Sequence, residues 1–154
     1  MTPVAGHTSK RVGLAASVLW RALVLAAGLH LYWLLGGSWA VHAGSGGAYS
    51  DVTPALRAYS AVVAVLLVAG CFVVRARVGL WRAPVSDHIV RIAMWVLTAC
   101  LGLAALVNFA ASTNVERFVI APFTLALALL AFVVARSGRS WHGIHRRHRP
   151  QPSH

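Results

Sequence analysis

The sequence predicts an all-α protein, a bundle of four transmembrane helices with up-down topology and both termini in the cytoplasm. Hydrophobic residues make up 58% of the 154 residues and charged residues only 11%, whereas roughly a quarter of the residues of a soluble domain are charged. The apolar residues form four long continuous stretches, and about 20 such residues cross a ~30 Å bilayer core as a helix. β-Strands are not expected, because these apolar stretches are too long to be single strands.

The four predicted spans cover residues 18–36, 56–74, 89–109 and 117–135, within one transmembrane domain of residues 1–136. The connections between them are short, so consecutive helices should lie side by side and run in opposite directions. Residues 137–154 should form a disordered cytoplasmic tail, because they are rich in arginine and histidine and contain no apolar stretch.

The starts of the second and third spans carry signals for helix initiation. Thr53 precedes Pro54, which places a capping hydroxyl before a proline at the first helical position. Ser86 precedes Asp87, which supplies an oxygen acceptor and a negative charge where the positive end of the helix dipole favours both. We expect helices to begin at both places.

The fourth span begins with a pattern typical of a capping box. Thr113 and Glu116 are three residues apart, and in such a box each side chain accepts a hydrogen bond from the backbone N–H of the other residue. We therefore expect Glu116 to stabilise the helix start rather than to act as a catalytic acid. Pro122 lies about one turn further on, where a kink is expected.

The distribution of basic residues predicts the orientation of the bundle. The chain has 14 Lys and Arg residues against 3 Asp and Glu residues, and cytoplasmic segments of membrane proteins carry the excess of Lys and Arg. Only Arg57 and Arg117 fall on the predicted outer side. The twelve on the predicted inner side are Lys10, Arg11, Arg21, Arg75, Arg77, Arg82, Arg91, Arg136, Arg139, Arg146, Arg147 and Arg149.

Membrane lipids are the partners that this charge distribution favours. The basic tail of residues 137–154 should contact anionic headgroups, where each basic residue near the surface contributes about 1 kcal/mol. A metal site at His142, His145 and His148 is the less favoured alternative, because no cysteine or carboxylate joins them. Nucleic acid is not needed to explain the charge. The excess of arginine over lysine, 13 to 1, is typical of a bacterial chain, so we expect the bacterial cell membrane.

Several functional classes lack the residues that they require. No Asp or Glu lies in the middle of a predicted span, whereas proton-driven transporters usually need one there. Cys71 and Cys100 are isolated, so neither a dithiol redox motif nor a cysteine zinc site is expected. No hydrolase or nucleotide-binding motif occurs. A protein without enzymatic activity, metal or cofactor is therefore favoured.

His30 is the most informative polar residue, because it lies within the first apolar span. Trp33 shares its helix face, and Ser60 and Thr124 should reach a similar depth on the second and fourth spans. One interpretation is a hydrogen bond from His30 to one of these hydroxyls that holds the bundle together. The other makes the four residues a ligand site, with His30 and Trp33 as the floor of an outward-facing pocket. The glycine-rich connection of residues 37–55 would then be its lid rather than a plain connection.

The stretch HLYWLLGG, from His30 to Gly37, resembles a signature of the domain of unknown function 3995 family of small four-span bacterial membrane proteins. The matching positions are His30, Trp33, Gly36 and Gly37. Relatives often carry an Asp and a Ser-Pro-Leu element in the last span, where this chain has Asn114, Glu116 and the run APF at residues 121–123. The resemblance implies a four-helix membrane bundle and implies no reaction.

The favoured function is that of an integral membrane protein that binds a lipid or other amphipathic ligand at its outer mouth, or serves as an accessory subunit. A second hypothesis is a small membrane enzyme, or a haem- or metal-binding protein, centred on His30. A third is a channel or transporter built by dimerisation, since four helices alone enclose little space.

Overall fold

The computed structural model describes residues 5–45 and 49–137, and in these residues it contains helices and no strands. The prediction of an all-α fold with four membrane-spanning helices is confirmed, because four helical segments are long and apolar enough to cross a membrane. The elements are α1 (Ala5–Leu34), α2 (Val41–Gly44), α3 (Pro54–Arg77), α4 (Asp87–Phe109), a π-helical turn (Glu116–Ile120) and α5 (Ala121–Arg136).

The first helix is longer than the span predicted at residues 18–36. It begins at Ala5 and ends at Leu34. Hydropathy marks only the part suited to lipid, whereas the helix continues through Lys10 and Arg11 because no proline or glycine pair interrupts it there. The predicted disordered tail falls almost wholly on residues 138–154, which lie outside the described residues.

The predicted starts of α3 and α4 are confirmed at atomic detail. The hydroxyl of Thr53 accepts a hydrogen bond from the backbone N–H of Leu56 at 3.2 Å. The hydroxyl of Ser86 accepts one from the N–H of Ile89 at 3.4 Å. Each pairs a backbone donor that would otherwise have no partner within its helix.

The helices pack as two closely associated pairs. α1 packs mainly against α3, and α4 packs mainly against α5, while α1 also contacts α5 and α3 also contacts α4. The larger core cluster includes Leu19, Leu23, Met94 and Val134. Large apolar side chains such as Leu25, which is 76% exposed, cover the outside. Such extensive apolar surface suits contact with lipid.

The last spanning helix begins with an irregular turn. The backbone N–H of Ala121 donates to the carbonyl of Glu116, five residues earlier, which defines a π-helical turn. Pro122 follows directly and has no N–H to donate. The sequence predicts a kink at Pro122, and the structure places this wide turn immediately before it.

Candidate functional site

His30 lies where the end of α1 meets the beginning of α3. Its Nδ1 is 3.4 Å from Oγ of Ser60, a residue that is fully buried. The imidazole also makes edge-to-face contacts with the rings of Trp33 and Tyr59, at centroid distances of 5.1 and 5.8 Å. The interhelical contact expected from the sequence is therefore present with Ser60, and its separation is somewhat longer than that of a typical hydrogen bond.

Thr124, the other hydroxyl considered as a partner of His30, joins different helices. It donates to the carbonyl of Ile120 at 2.8 Å and accepts from the side-chain amide of Asn108 at 3.4 Å. Thr124 consequently connects α5 to α4. The position of Thr124 in the sequence predicts its depth in the membrane. It does not predict which neighbouring helix this side chain faces.

Trp33 anchors the connection that follows α1. Its indole is buried, and Nε1 donates to the backbone carbonyl of Trp39 at 2.9 Å. Val41 of the short helix α2 is buried against the same cluster, together with Leu56. The described part of the connection is thus packed onto the end of the bundle.

Gly36 and Gly37 end α1 with a Schellman motif. The N–H of Gly36 donates to the carbonyl of Trp33 at 3.1 Å, and that of Gly37 to the carbonyl of Tyr32 at 2.9 Å. Gly36 has a φ of +101°, and a Cβ there would lie 2.7 Å from the guanidinium of Arg57. A Cβ at Gly37 would overlap the Tyr32 ring. The backbone conformation of Gly36 therefore favours glycine, and the missing side chain at Gly37 leaves room for the Tyr32 ring.

The helix start at Thr113 is built only partly as a capping box. The hydroxyl of Thr113 accepts from the backbone N–H of Glu116 at 3.3 Å, as expected. In return, this hydroxyl donates to Oε2 of Glu116 at 3.1 Å, so this bond joins side chain to side chain. Glu116 is buried, with 3% of its surface exposed.

A cavity of about 570 Å³ lies beside this carboxylate. It is surrounded by residues from the connection after α1, from α3, from the end of α4 and from the π-helical turn. It therefore lies at the end of the bundle onto which this connection packs. Its lining combines apolar side chains with hydroxyl, phenol, amide and carboxylate groups. The lining residues are Ser45, Tyr49, Tyr59, Val107, Asn108, Ala110, Ala111 and Glu116.

None of the four predicted ligand residues lines this cavity, although two of them support its wall. His30 contacts the ring of Tyr59, and Thr124 accepts a hydrogen bond from Asn108. Tyr59 and Asn108 were missed in the sequence, although an amide within an apolar span is a signal comparable to His30. Glu116 was predicted mainly as a helix cap.

Metal binding has little support among the described residues. No group of three or more His, Cys, Asp or Glu side chains in residues 5–45 and 49–137 could hold a metal ion. Cys71 and Cys100 are both free thiols. The contacts described for His30 are with Ser60 and two aromatic rings.

Comparison with known protein families gives a match that covers most of the chain. A family model described as "Protein of unknown function (DUF3995)" matches residues 23–122, which is 100 of the 154 residues. The chain belongs to this family. The match includes the His30 to Gly37 signature and all the cavity residues, so the DUF3995 region contains the complete candidate site. No curated protein and no solved structure matches the chain.

Proposed function

We propose that this DUF3995 protein is a multi-pass protein of the bacterial cell membrane that binds a lipid or other amphipathic molecule in the cavity at its outer mouth. The observation that carries the proposal is the cavity itself. Its volume of about 570 Å³ falls within the range of roughly 300–1,000 Å³ that is typical of ligand sites.

The composition of the cavity wall supports an amphipathic ligand. Asn108 and Glu116 offer polar groups for a headgroup, whereas Val107 and Ala110 continue onto the apolar outside of α4. Val107 is 62% exposed although it lines the cavity. A headgroup in the cavity would therefore allow its acyl chain to leave along a surface suited to lipid.

The proposed orientation rests on charge. The cavity end carries Arg57 and Arg117, whereas the α3–α4 connection at the opposite end carries Arg82, between Arg77 of α3 and Arg91 of α4. By the positive-inside tendency the cavity would face outward, with both termini and the α3–α4 connection in the cytoplasm. The contacts of His30 with Ser60 and of Trp20 with Cys71 support an opposite direction for α1 and α3.

Lipid extraction from the purified protein tests the binding proposal. Protein isolated in a neutral detergent should retain an amphipathic molecule, and Val107→Trp should reduce the retained amount severalfold by filling the cavity mouth. Val96→Trp is the matched control, because Val96 is an exposed valine of the same helix away from the cavity. Equal retention by both variants, or none by the unmodified protein, would contradict the proposal.

Cysteine labelling in intact cells tests the orientation separately. In a background without Cys71 and Cys100, an impermeant thiol reagent should label Ser50→Cys, in the connection after α2, and should not label Val85→Cys, in the α3–α4 connection. Both positions are exposed. Labelling of Val85→Cys alone would show that the bundle is inserted the other way.

A further inference from the structure

We propose that the cavity selects an amphipathic molecule whose headgroup carries an ammonium group, and that Glu116 provides the opposite charge. The inference rests on the proposed function, since it names the headgroup for the same cavity. It depends on three features of the structure. These are a buried carboxylate, two nearby arginines whose described contacts are with other residues, and the absence of basic residues from the described cavity wall.

The first feature is the burial of Glu116 on the cavity wall. Only 3% of its surface is exposed, and the hydrogen-bond donor to its carboxylate is the neutral hydroxyl of Thr113, at 3.1 Å. A buried carboxylate is costly unless a cation or several donors compensate it. Its place in the first turn of a helix contributes stabilisation through the dipole, up to about 2 kcal/mol for a partly buried group, which is less than the cost of burying an unpaired charge.

The second feature concerns the two cations at this end of the bundle. Arg117 donates from its guanidinium to the backbone carbonyl of Ala111 at 3.0 Å. The guanidinium of Arg57 lies against Gly36, at the end of α1. Arg117 therefore has another hydrogen-bond partner, the described neighbour of the Arg57 guanidinium is Gly36, and the hydrogen-bond donor described for the Glu116 side chain is a hydroxyl.

The third feature is the chemistry of the remaining wall. None of the residues found to line the cavity is basic, which disfavours a headgroup with a net negative charge, because such a headgroup would need arginine or lysine to balance it. Tyr49 and Tyr59 line the cavity from two different segments, and phenol rings attract ammonium groups through their negative faces. The amide oxygen of Asn108 adds a hydrogen-bond acceptor, whereas the hydroxyl of Ser45 is hydrogen-bonded to the backbone of Tyr49.

These groups fit an ammonium headgroup better than an anionic one. Glu116 would supply charge, the two tyrosines would supply aromatic surface, and the amide oxygen of Asn108 would accept an N–H donor. An aminophospholipid headgroup and a free alkylamine share this chemistry. They differ in that only the lipid also brings a phosphate and two acyl chains.

Native mass spectrometry in a neutral detergent tests the inference, with phosphatidylethanolamine and phosphatidylglycerol of identical acyl chains as probes. We expect the unmodified protein to bind phosphatidylethanolamine about tenfold more tightly, a factor at the lower end of the coupling measured between close charge pairs at a protein interface. Glu116→Gln should remove the preference while keeping the affinity for phosphatidylglycerol. Thr113→Ala is the matched control, since it weakens the helix cap but keeps the carboxylate, and its preference should persist.

Dodecylamine distinguishes the source of the ammonium group. Competition by dodecylamine against phosphatidylethanolamine would show that the amine and one chain suffice, whereas its failure to compete would assign the site to the lipid headgroup. If Glu116→Gln does not fold, Tyr49→Leu and Tyr59→Leu provide the second test. Each should lower the affinity for phosphatidylethanolamine about threefold and leave that for phosphatidylglycerol unchanged.

The failures of the two proposals can be told apart. Equal binding of both lipids by the unmodified protein, with both lost in Val107→Trp, would overturn the ammonium inference and leave amphiphile binding standing. An undiminished preference in Glu116→Gln would likewise overturn it, because the carboxyl group would then serve only the helix start. Binding of neither lipid nor dodecylamine would contradict both proposals.

Discussion

Nδ1 of His30 lies 3.4 Å from the hydroxyl oxygen of Ser60, and this contact joins the last turns of α1 to the first turns of α3. Ser60 is fully buried, so this contact lies inside the bundle and not at its surface. The same imidazole contacts the ring of Tyr59, which lines the cavity. The hydrogen bond between the helices therefore also fixes one wall of the candidate site.

His30→Leu and Ser60→Ala should each lower the thermal stability of the purified protein. Hydrogen bonds between membrane helices contribute about 0.6 kcal/mol on average and up to about 1.7 kcal/mol. The double variant should lose less than the sum of the two single variants, by a coupling energy in that range. Thermal unfolding followed by tryptophan fluorescence measures all three.

Thr98→Ala provides the control for this cycle. Its hydroxyl donates to the carbonyl of Met94 within α4, at 2.8 Å, so it removes a hydroxyl without touching His30. Its effect should add to that of His30→Leu. Strict additivity of His30→Leu with Ser60→Ala as well would show that the observed contact contributes no energy.

Gly36→Ala should destabilise the protein, because Gly36 has a φ of +101° and its missing Cβ leaves room for Arg57. The left-handed conformation alone costs roughly 1–2 kcal/mol for a residue with a side chain. Gly28→Ala is the matched control in the middle of α1, where an added Cβ meets nothing within 4 Å. It should be neutral or stabilising by about 0.5–1 kcal/mol. Equal melting temperatures for the two variants would refute this account of the helix end.

Arg77→Leu should lower stability more than any other replacement of a basic residue in the α3–α4 region. Arg77 is buried, and its guanidinium donates to the backbone carbonyls of Ala135, at 2.9 Å, and Ser137. Hydrogen bonds that involve a charged group contribute about 1.5–3 kcal/mol. The loss should be visible as a lower denaturation midpoint.

Arg82→Leu is the comparison for Arg77→Leu. Arg82 is exposed in the connection between α3 and α4, and exposed charges contribute little to stability. Its replacement should leave the midpoint within experimental error. Similar losses for the two arginines would mean that charge on this side, rather than the contact of Arg77 with the end of α5, stabilises the bundle.

The positions of the spans and of the helix starts could be predicted from the sequence, because both depend on local chemistry. Apolar runs of about 20 residues determine where the spans lie, and the hydroxyls of Thr53 and Ser86 cap backbone donors only three residues away. The possible hydrogen-bond partners of His30 could be narrowed to Ser60 and Thr124, because the position of a residue along its span predicts its depth in the membrane. Choosing Ser60 over Thr124 required the rotation of each helix about its axis, which short-range patterns do not contain.

The residues that line the cavity could not be predicted, because its wall joins segments that are distant in the sequence. Tyr49 and Glu116 are 67 positions apart, and they share one cavity because the connection after α1 folds over the end of the bundle. The contact of Arg77 with α5 is equally remote in sequence. In both cases tertiary packing determines which groups a side chain contacts. The sequence indicated only that Arg77 is one of the basic residues on the predicted inner side.

Photocrosslinking tests the central claim most directly, that an amphipathic molecule occupies the cavity. A phospholipid with a diazirine close to its headgroup, incorporated into nanodiscs with the full chain, should label Tyr59 and the segment of residues 107–111, and Val107→Trp should reduce this labelling. Val62, Val65 and Leu66 form a shallow apolar surface on α3 and provide the internal comparison. Labelling spread evenly over that surface, with none at the cavity residues, would contradict the claim.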